Sequence, residues 1–530
     1  MALDLKGPLA LNLTGSPPGA QQLSSLRGTI EWMRDEGLLL ETDVEISGDL
    51  ELTGVQKHLD GTIPILFRYV KGYSEAQVIT NLFTNMQIID RWFGWESPTD
   101  RTRNLAQALT HPIAPEVVSS AEAPCHEEVI TDDLEVNRYV VPIRHTALES
   151  ELTIGSGCSV VVGDYFRGGS HIGYNRMNFR WGNVGTFQSA PGSHMWQVIT
   201  EHYRDERGIP ITMCFGIPVA ANLIAGGGFD YVVLPRGGDE LGAAGAVQGF
   251  PIRLVKARTV EAYALADCEL VLEGYLKPRD KRYETREAEE HDTQGRYHFH
   301  PEWAGYMGKA YKAPTLHVTG ITRRRPKSTL YALGVHMLDC NNIDTTVREA
   351  ALFELCERLQ PGIIQDVNIP FCMTDWGGCI LQVKKRNRIE EGWQRNFLVA
   401  AISCSQGMRL AIAVDTDIDI YSMDDIVWAL TTRVNPHTDI LNPVPGGIGQ
   451  TFMPEERLTA GDKAWTASNT RFEGGMGIDA TFPFGYENDF MRPVYPIEKV
   501  DPGRWFAQDQ LDQVKSLMQG WVTSLARTGR

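Results

Sequence analysis

The sequence predicts a multi-domain α+β protein, with an N-terminal α/β region, a central β domain of barrel type and a C-terminal α+β domain closed by a helix. Three observations carry this prediction. The chain has 530 residues, enough for roughly two to four domains of ordinary size. Hydrophobic residues make up 42% and charged residues 22%, which suits a large packed core and excludes a disordered or fibrous chain. The hydrophobic runs change texture near Cys125 and again after Thr322, giving expected divisions at 1–124, 125–322, 329–500 and 501–530.

In the first region, Ser24–Glu36 opens with a serine cap and carries apolar residues at helical spacing, the signature of an amphipathic helix. Ile63–Val70 reads as a strand, and Asn104–Thr110 as a helix ending before Pro112. From Cys125 onward, short β-branched or apolar runs are broken by glycine, proline or aspartate: Ser159–Val162, Met213–Ile217, Tyr231–Leu234, Ile252–Val255, Glu269–Gly274 and Thr315–Thr319. Such runs read as strands of a mostly antiparallel sheet, interrupted by one helix at His194–Arg207. Thr322–Ser328 is basic and contains proline, which reads as a solvated linker or as a phosphate-binding patch. Beyond it, helices at Thr345–Gln360 and Asp424–Thr432 alternate with buried strands at Ile380–Lys384 and Arg409–Val414, an α+β pattern. Asp509–Leu525 reads as a terminal helix with an apolar stripe at Leu511, Val514, Leu517 and Trp521, a face suited to another domain or subunit.

The formal net charge is −17 with histidine neutral. An acidic chain repels phosphate backbones and anionic lipid, so nucleic-acid and membrane-surface binding are not expected. No apolar run reaches the length of a membrane span, and Met1–Gly15 lacks the basic start and long apolar stretch of a secretion signal, so the expectation is a cytoplasmic protein. Nine cysteines are scattered without zinc-type spacing, the usage of reduced thiols in a reducing compartment.

Residues able to carry chemistry fall in three places. His171 lies in His171–Phe179, His194 in Pro191–Trp196, and Glu240 follows Asp239. Together they would make a His-His-carboxylate set suited to Mn²⁺, Fe²⁺ or Zn²⁺. No fixed spacing links the three, and local hydrogen bonding by each imidazole is the alternative. Gly226–Gly228 and Gly446–Gly449 would let backbone approach a phosphate, but neither matches a dinucleotide or P-loop fingerprint, so turns are the plainer reading. Tyr297–Tyr306 packs His298, His300 and Glu302 among aromatic residues. Partial desolvation beside Phe299 and Trp303 would favour the neutral carboxyl that a proton donor needs; a solvated surface carboxylate is the alternative. As a strand, this stretch would set His298 and His300 on one face and Phe299 on the other.

Several segments together carry a resemblance. His171–Arg176 (HIGYNR), Glu269–Gly274 (ELVLEG), Asp417–Arg433 (DIDIYSMDDIVWALTTR) and Gly477–Thr481 (GIDAT) resemble the UbiD family of decarboxylases, which use prenylated FMN (prFMN). The likeness runs from about Pro124 to Trp505. It implies a UbiD-like fold: an N-terminal α/β region, a split β-barrel flavin-binding domain and a C-terminal α+β oligomerisation domain. It also implies a carboxy-lyase that removes CO₂, reversibly and without oxidation, from an sp² carbon of an aromatic acid or its CoA thioester. Losing CO₂ there leaves electrons in an in-plane orbital that no side-chain acid or base absorbs, so a covalent electron sink is needed. By the same resemblance, Arg176 is the catalytic arginine that orients the carboxylate through a paired fork. Glu302 is the proton donor, with His298 or His300 as substitutes. The positions implied for cofactor binding are His171, Tyr174, Asn175, Arg176, His194 and Glu240. His171, His194 and Glu240 would also hold a divalent metal, Mn²⁺ or Fe²⁺, bridging to the flavin phosphate, with K⁺ nearby on main-chain oxygens.

Three departures from the family pattern bear on this expectation. His171 stands where asparagine is usual, which puts Fe²⁺ level with Mn²⁺. The second glutamate expected a few residues before the proton donor is replaced by Tyr297, so the Glu-Arg-Glu network is expected to be incomplete. Gly474 and Gly475 precede Met476 where a lysine is expected, leaving Arg471 or Lys463 to neutralise the cofactor phosphate. The altered stretch before Glu302 points to an aromatic dicarboxylate or its CoA thioester, as in the phthaloyl-CoA decarboxylase-like branch, and Arg323–Lys327 would meet a CoA phosphate. Expected partners are the aromatic substrate, CO₂, a flavin prenyltransferase that supplies the cofactor, and further copies of the chain in a homodimer or homohexamer. Two other readings stay open: a flavin-independent metal-dependent lyase or hydrolase, and a non-catalytic subunit of a carboxylase complex.

Overall fold

The computed structural model describes residues 16–227, 233–404, 407–444, 474–493, 496 and 499–518. They divide into two compact units, one running to Ala351 and the other beginning at Leu352.

In the first unit, the predicted N-terminal helix runs over Leu26–Asp35 behind Ser25, whose side-chain oxygen accepts from Gly28 N at 3.2 Å. Its buried face carries Leu26, Ile30 and Met33. The next predicted helix starts earlier than its apolar spacing suggests, at Pro98. Ser97 caps it and proline suits the first turn, where its missing N–H costs nothing. A four-stranded sheet takes Leu40–Thr42, Ile65–Phe67, Ala76–Thr80 and, from far along the chain, Ser328–Ala332. The last of these runs parallel to Ala76–Thr80.

The centre of this unit is a closed barrel. Leu270–Tyr283, Ile209–Phe215, Ile154–Val162, Ser170–Trp181, Val184–Phe187 and Lys312–Arg323 follow one another by antiparallel pairing, and the last pairs back onto the first. Closure removes the free edges that an open sheet must protect. Met177, Phe187, Met213, Leu272 and Val318 are among the side chains that share one core. The strands extend beyond the apolar runs because polar residues alternate with apolar ones along them. Two expectations fail here. Tyr231 and Val232 lie outside the described residues, and Val233–Leu234 form a turn rather than a strand. The helix at His194 ends at Glu201, where the polar run His202–Gly208 begins.

The basic run after the barrel is solvated only at its tip, where Arg325 and Pro326 are exposed. Arg323 is buried and donates to Glu75 and Glu128 at 2.7 and 2.6 Å. Arg324 sits 3.5 Å from the fully buried Glu269. Arg27 grips that carboxylate through two nitrogens at 2.8 Å, and Thr329 N donates to it at 2.9 Å. Lys327 donates to the Arg68 carbonyl. Glu75, Glu128 and Glu269 therefore take up the charge of Arg323 and Arg324.

The second unit is built on a five-stranded sheet in the order Ile364–Asn368, Gly378–Val383, Leu410–Asp415, Gly475–Ala480, Ile440–Val444. Helices Trp393–Cys404 and Met423–Arg433 accompany it, and the first unit leads into it through the helix Leu338–Leu359. The distinctive DIDIY…TTR segment is an ion-pair frame: Arg433 donates to Asp415 at 3.3 Å and to Asp417 at 2.5 Å, and Arg492 to Asp425 at 3.1 Å. Asp479 of the GIDAT segment accepts from Gln394, Arg395 and the Thr481 hydroxyl. The terminal helix runs over Gln508–Met518, with Leu511 half-buried and Val514 exposed. The Leu517 side chain and Trp521 lie outside the described residues. The cysteines are free thiols, buried except for Cys372 and Cys404. Among the described residues no helix is long and apolar enough to cross a membrane.

Two stability predictions follow from the buried charges. Glu269→Ala strips the partner from Arg27 and Arg324, and a loss of about 3 kcal/mol is expected in denaturant unfolding, the scale for breaking a buried pair. Asp339 accepts from Phe83 N at 2.7 Å and Gly334 N at 3.1 Å, and burial pushes its carboxyl up to about 7 against those donors. The folded value lies above the unfolded one, so this contribution is complete below about pH 4 and is lost as pH rises through 7. Paired thermal melts of wild type and Asp339→Asn should show wild type losing ground to the variant across that window; parallel curves would contradict it.

Candidate active site

The first cluster gathers one strand and two helix starts. His171 lies in the barrel strand Ser170–Trp181, His194 opens the helix His194–Glu201, and Glu240 opens the helix Glu240–Gln248. The helix starts are fixed by side-chain caps: Ser193 accepts from Trp196 N, and Asp239 accepts from Gly242 N and the Ser170 hydroxyl. A carboxylate in a first helical turn is favoured by the helix dipole. Glu240 Oε2 accepts from Ile172 N at 2.8 Å and faces His171 Nδ1 at 2.9 Å, while Oε1 faces His194 Nδ1 at 2.5 Å. Burial alone would raise the Glu240 carboxyl, but the two imidazoles outweigh it and hold it down at about 2. All three side chains are buried, and their ligand atoms lie within 4.8 Å of one another. His171 Nε2 is buried and makes no hydrogen bond among the described residues. Two imidazoles and a carboxylate, ionised and enclosed, are a donor set that fits a borderline divalent ion.

The second cluster centres on Arg176, five residues along the same strand. Its Nε and Nη2 donate to the two Glu284 oxygens at 2.8 and 2.9 Å, and Nη1 donates to Glu302 Oε1 at 2.8 Å. Nη2 also reaches the Lys309 carbonyl at 3.3 Å, and the Phe299 ring lies 5.3 Å from the guanidinium carbon. Burial opposes the charge on Arg176, but the two carboxylates raise its pKa and keep it cationic. Glu284 is fixed further by Tyr311 N at 2.9 Å. Gly308 backs Glu302, and a Cβ there would collide with Glu302 Oε1 and the His300 carbonyl, so only glycine fits.

This network corrects the expectation of an incomplete Glu-Arg-Glu set. The second carboxylate is Glu284, at the end of the barrel strand Leu270–Tyr283, and not Tyr297 or a histidine. Thr285–Pro301 intervenes, with a short helix at Arg286–Glu290 and the strand His298–Pro301. Tyr297 stacks on His291 at 5.4 Å instead. The strand pairing is irregular between His298 and Pro301, and His300 has φ of 26°. Consequently His298 is exposed, 3.3 Å from Lys309 Nζ, whereas His300 is buried, 3.6 Å from Glu149; the two do not share a face as alternation predicts.

The remaining expected positions have internal partners. The Tyr174 hydroxyl donates to Asn222 Oδ1 at 2.6 Å. Asn175 accepts from the Ser159 hydroxyl at 2.7 Å and donates to the Gln188 carbonyl at 3.0 Å. Gly226 and Gly227 admit Ile343 and Val347 in close helix packing and do not frame a phosphate loop. Gly228, Gly446–Gly449, Lys463 and Arg471 lie outside the described residues. Glu284 is the residue that sequence reasoning missed, and its only signal is a lone carboxylate ending a long strand.

Comparison with known proteins now places the chain. It matches the 3-octaprenyl-4-hydroxybenzoate carboxy-lyase models for the N-terminal domain over residues 30–109, the Rift-related domain over 116–336 and the C-terminal domain over 341–480. The chain therefore belongs to the UbiD family of carboxy-lyases. Among its relatives, the gallate decarboxylase of Lactiplantibacillus plantarum is 28% identical over 498 residues, covering 90% of this chain and 98% of that protein. Among solved structures, the apo 3,4-dihydroxybenzoic acid decarboxylase of Enterobacter cloacae superposes with a TM-score of 0.77 at 25% identity, covering 92% of this chain and 99% of that one. A UbiD-class enzyme of Pelotomaculum thermopropionicum in complex with prFMN shares the fold with a TM-score of 0.76 at 22% identity, covering 91% and 100%.

Substituting the carboxylates that flank Arg176 tests the network. Glu284→Gln removes the bidentate partner of a buried guanidinium and is expected to cost about 3 kcal/mol in unfolding and to abolish decarboxylation. Tyr297→Phe should leave both near wild type. The reverse pattern in melts and turnover would return the role to Tyr297.

Proposed function

We propose that this chain decarboxylates a free aromatic acid with prFMN, without net oxidation and reversibly where CO₂ is abundant. The observation that carries the reading is the Glu284–Arg176–Glu302 chain of buried groups. Relatives that act by name on gallate and 3,4-dihydroxybenzoic acid support a phenolic acid. The ion-paired state of Arg323 and Arg324 argues in the same direction, against a CoA thioester.

When bound, prFMN supplies the electron sink that decarboxylation at an sp² carbon requires. The chain's own residues position groups and move the proton. Glu284 and the Lys309 carbonyl take every N–H of the Arg176 Nε–Nη2 edge, so the paired fork once assigned to a substrate carboxylate is already engaged. Arg176 instead fixes Glu302 and keeps one Nη1–H for the substrate. Glu302 holds the proton on its carboxyl oxygen and delivers it to the carbon that has lost CO₂. Its single tie to the guanidinium, against the double tie of Glu284, suits it to the mobile role. His171, His194 and Glu240 would hold Mn²⁺ or Fe²⁺ beside the cofactor phosphate, with K⁺ on nearby main-chain oxygens. A cytoplasmic setting, cofactor supply by a flavin prenyltransferase and assembly as a homodimer or homohexamer belong to the same reading. Exposed Trp505, Phe506 and Val514 favour the assembly.

Glu302→Gln is expected to keep the cofactor absorbance and to lose on the order of 10²–10⁴-fold in turnover, the span of general acid–base catalysis. Solvent deuterium incorporation into product should fall in parallel. Near wild-type turnover in this variant, with a collapse in His300→Asn or His298→Asn, would assign the proton to histidine.

A further inference from the structure

A second group of side chains with metal-ligand chemistry lies close behind the Arg176 network. His145 and Glu149 share one loop ahead of the barrel strand Ile154–Val162, and His300 reaches them from the segment that precedes Glu302. Glu149 is 1% exposed and His300 7%. The loop itself fixes the carboxylate, because Glu149 Oε2 accepts from His145 N and from Thr146 N at 2.9 Å. Oε1 is left facing both imidazoles, with His145 Nδ1 at 3.2 Å and His300 Nδ1 at 3.6 Å. The rings stand edge to face, 4.9 Å between centroids.

The spacing separates two kinds of contact. N–H···O bonds run from about 2.7 to 3.2 Å, so His145 Nδ1, at 3.2 Å, stands at their long end and the 3.6 Å of His300 Nδ1 is too long for one; the buried His300 Nδ1 makes no hydrogen bond among the described residues. Ligand atoms on a tetrahedron with metal bonds of about 2.0–2.1 Å stand about 3.3–3.4 Å apart. The observed 3.2 and 3.6 Å bracket that edge, and all three ligand atoms lie within 4.8 Å of one another.

We propose that His145, Glu149 and His300 form a second divalent-cation site, of the two-imidazole, one-carboxylate kind that takes Zn²⁺ or Co²⁺. The ion ties the loop before the barrel to the segment carrying Glu302, two residues beyond His300. Its work is to hold the Glu302 backbone in place, as a positioning ion rather than a reacting one.

The full chain, stripped with a chelator and titrated with Co²⁺, tests this by ion count and by the visible band of tetrahedral Co²⁺. Wild type is expected to take two ions, and His300→Asn and His145→Asn one each. Glu240→Gln should keep one ion with the tetrahedral band and a Co²⁺-dependent rise in melting temperature; both should vanish in Glu240→Gln/His300→Asn. If the His171 set binds nothing, wild type takes one ion and His300→Asn still loses it, which upholds the second site by itself. Equal uptake by wild type, His300→Asn and His145→Asn would overturn the proposal, as would Glu240→Gln binding none. His145→Asn, on a loop, serves if His300→Asn fails to fold.

Discussion

A guanidinium buried in a barrel wall has to be compensated where it stands, and that requirement organises the centre of this protein. Moving such a charge out of water costs several kcal/mol unless partners surround it. Arg176 meets the requirement with Glu284 through two nitrogens and Glu302 through a third. Each partner must in turn be held. The long strand Leu270–Tyr283 delivers Glu284, Tyr311 N steadies it, and Gly308 makes room for Glu302. Phe299 covers the planar face of the cation. The path of the chain between residues 284 and 309 is thus set by the geometry of one side chain.

The same rule recurs where the chain passes between sheets. Glu269, at the start of a barrel strand, gathers Arg27 and Arg324, while Arg323 takes Glu75 and Glu128. Two of these pairs, Arg27–Glu269 and Arg323–Glu75, join segments more than two hundred residues apart in sequence and tie the N-terminal region to the barrel. In the other unit Arg433 closes on Asp415 and Asp417. Buried pairs of this kind add modest net stability, but an unpaired member is costly, so they specify which segments meet.

Sequence reasoning read the broad architecture because it rests on local signals. Ser25 and Ser97 announce helix starts, and β-branched runs announce strands. The barrel is legible as a type, but its strand lengths and register are not, since they depend on pairing between Leu270–Tyr283 and Lys312–Arg323, which no local pattern records. At the site, the residue types of His171, His194 and Glu240 suggest a metal set and the family resemblance supports it, though no spacing links them; the fold brings them together from three separate elements. Glu284 is not legible because it lies eighteen residues before Glu302, whereas the family pattern places the two carboxylates close together. The basic run at Arg323 looked like open charge because its carboxylate partners lie at positions 75, 128 and 269. His298 and His300 were placed on one face by simple alternation, which the positive φ of His300 breaks.

The long stretch between Glu284 and Glu302 bears on how such an enzyme diversifies. Both of its ends are anchored to one cation, so the residues between them are released from the charge balance that the chemistry needs. Phe299 and His300 sit inside the stretch, against the guanidinium and against Glu149. Freedom to vary is therefore confined to the residues before them, and the chemistry is held at the two ends.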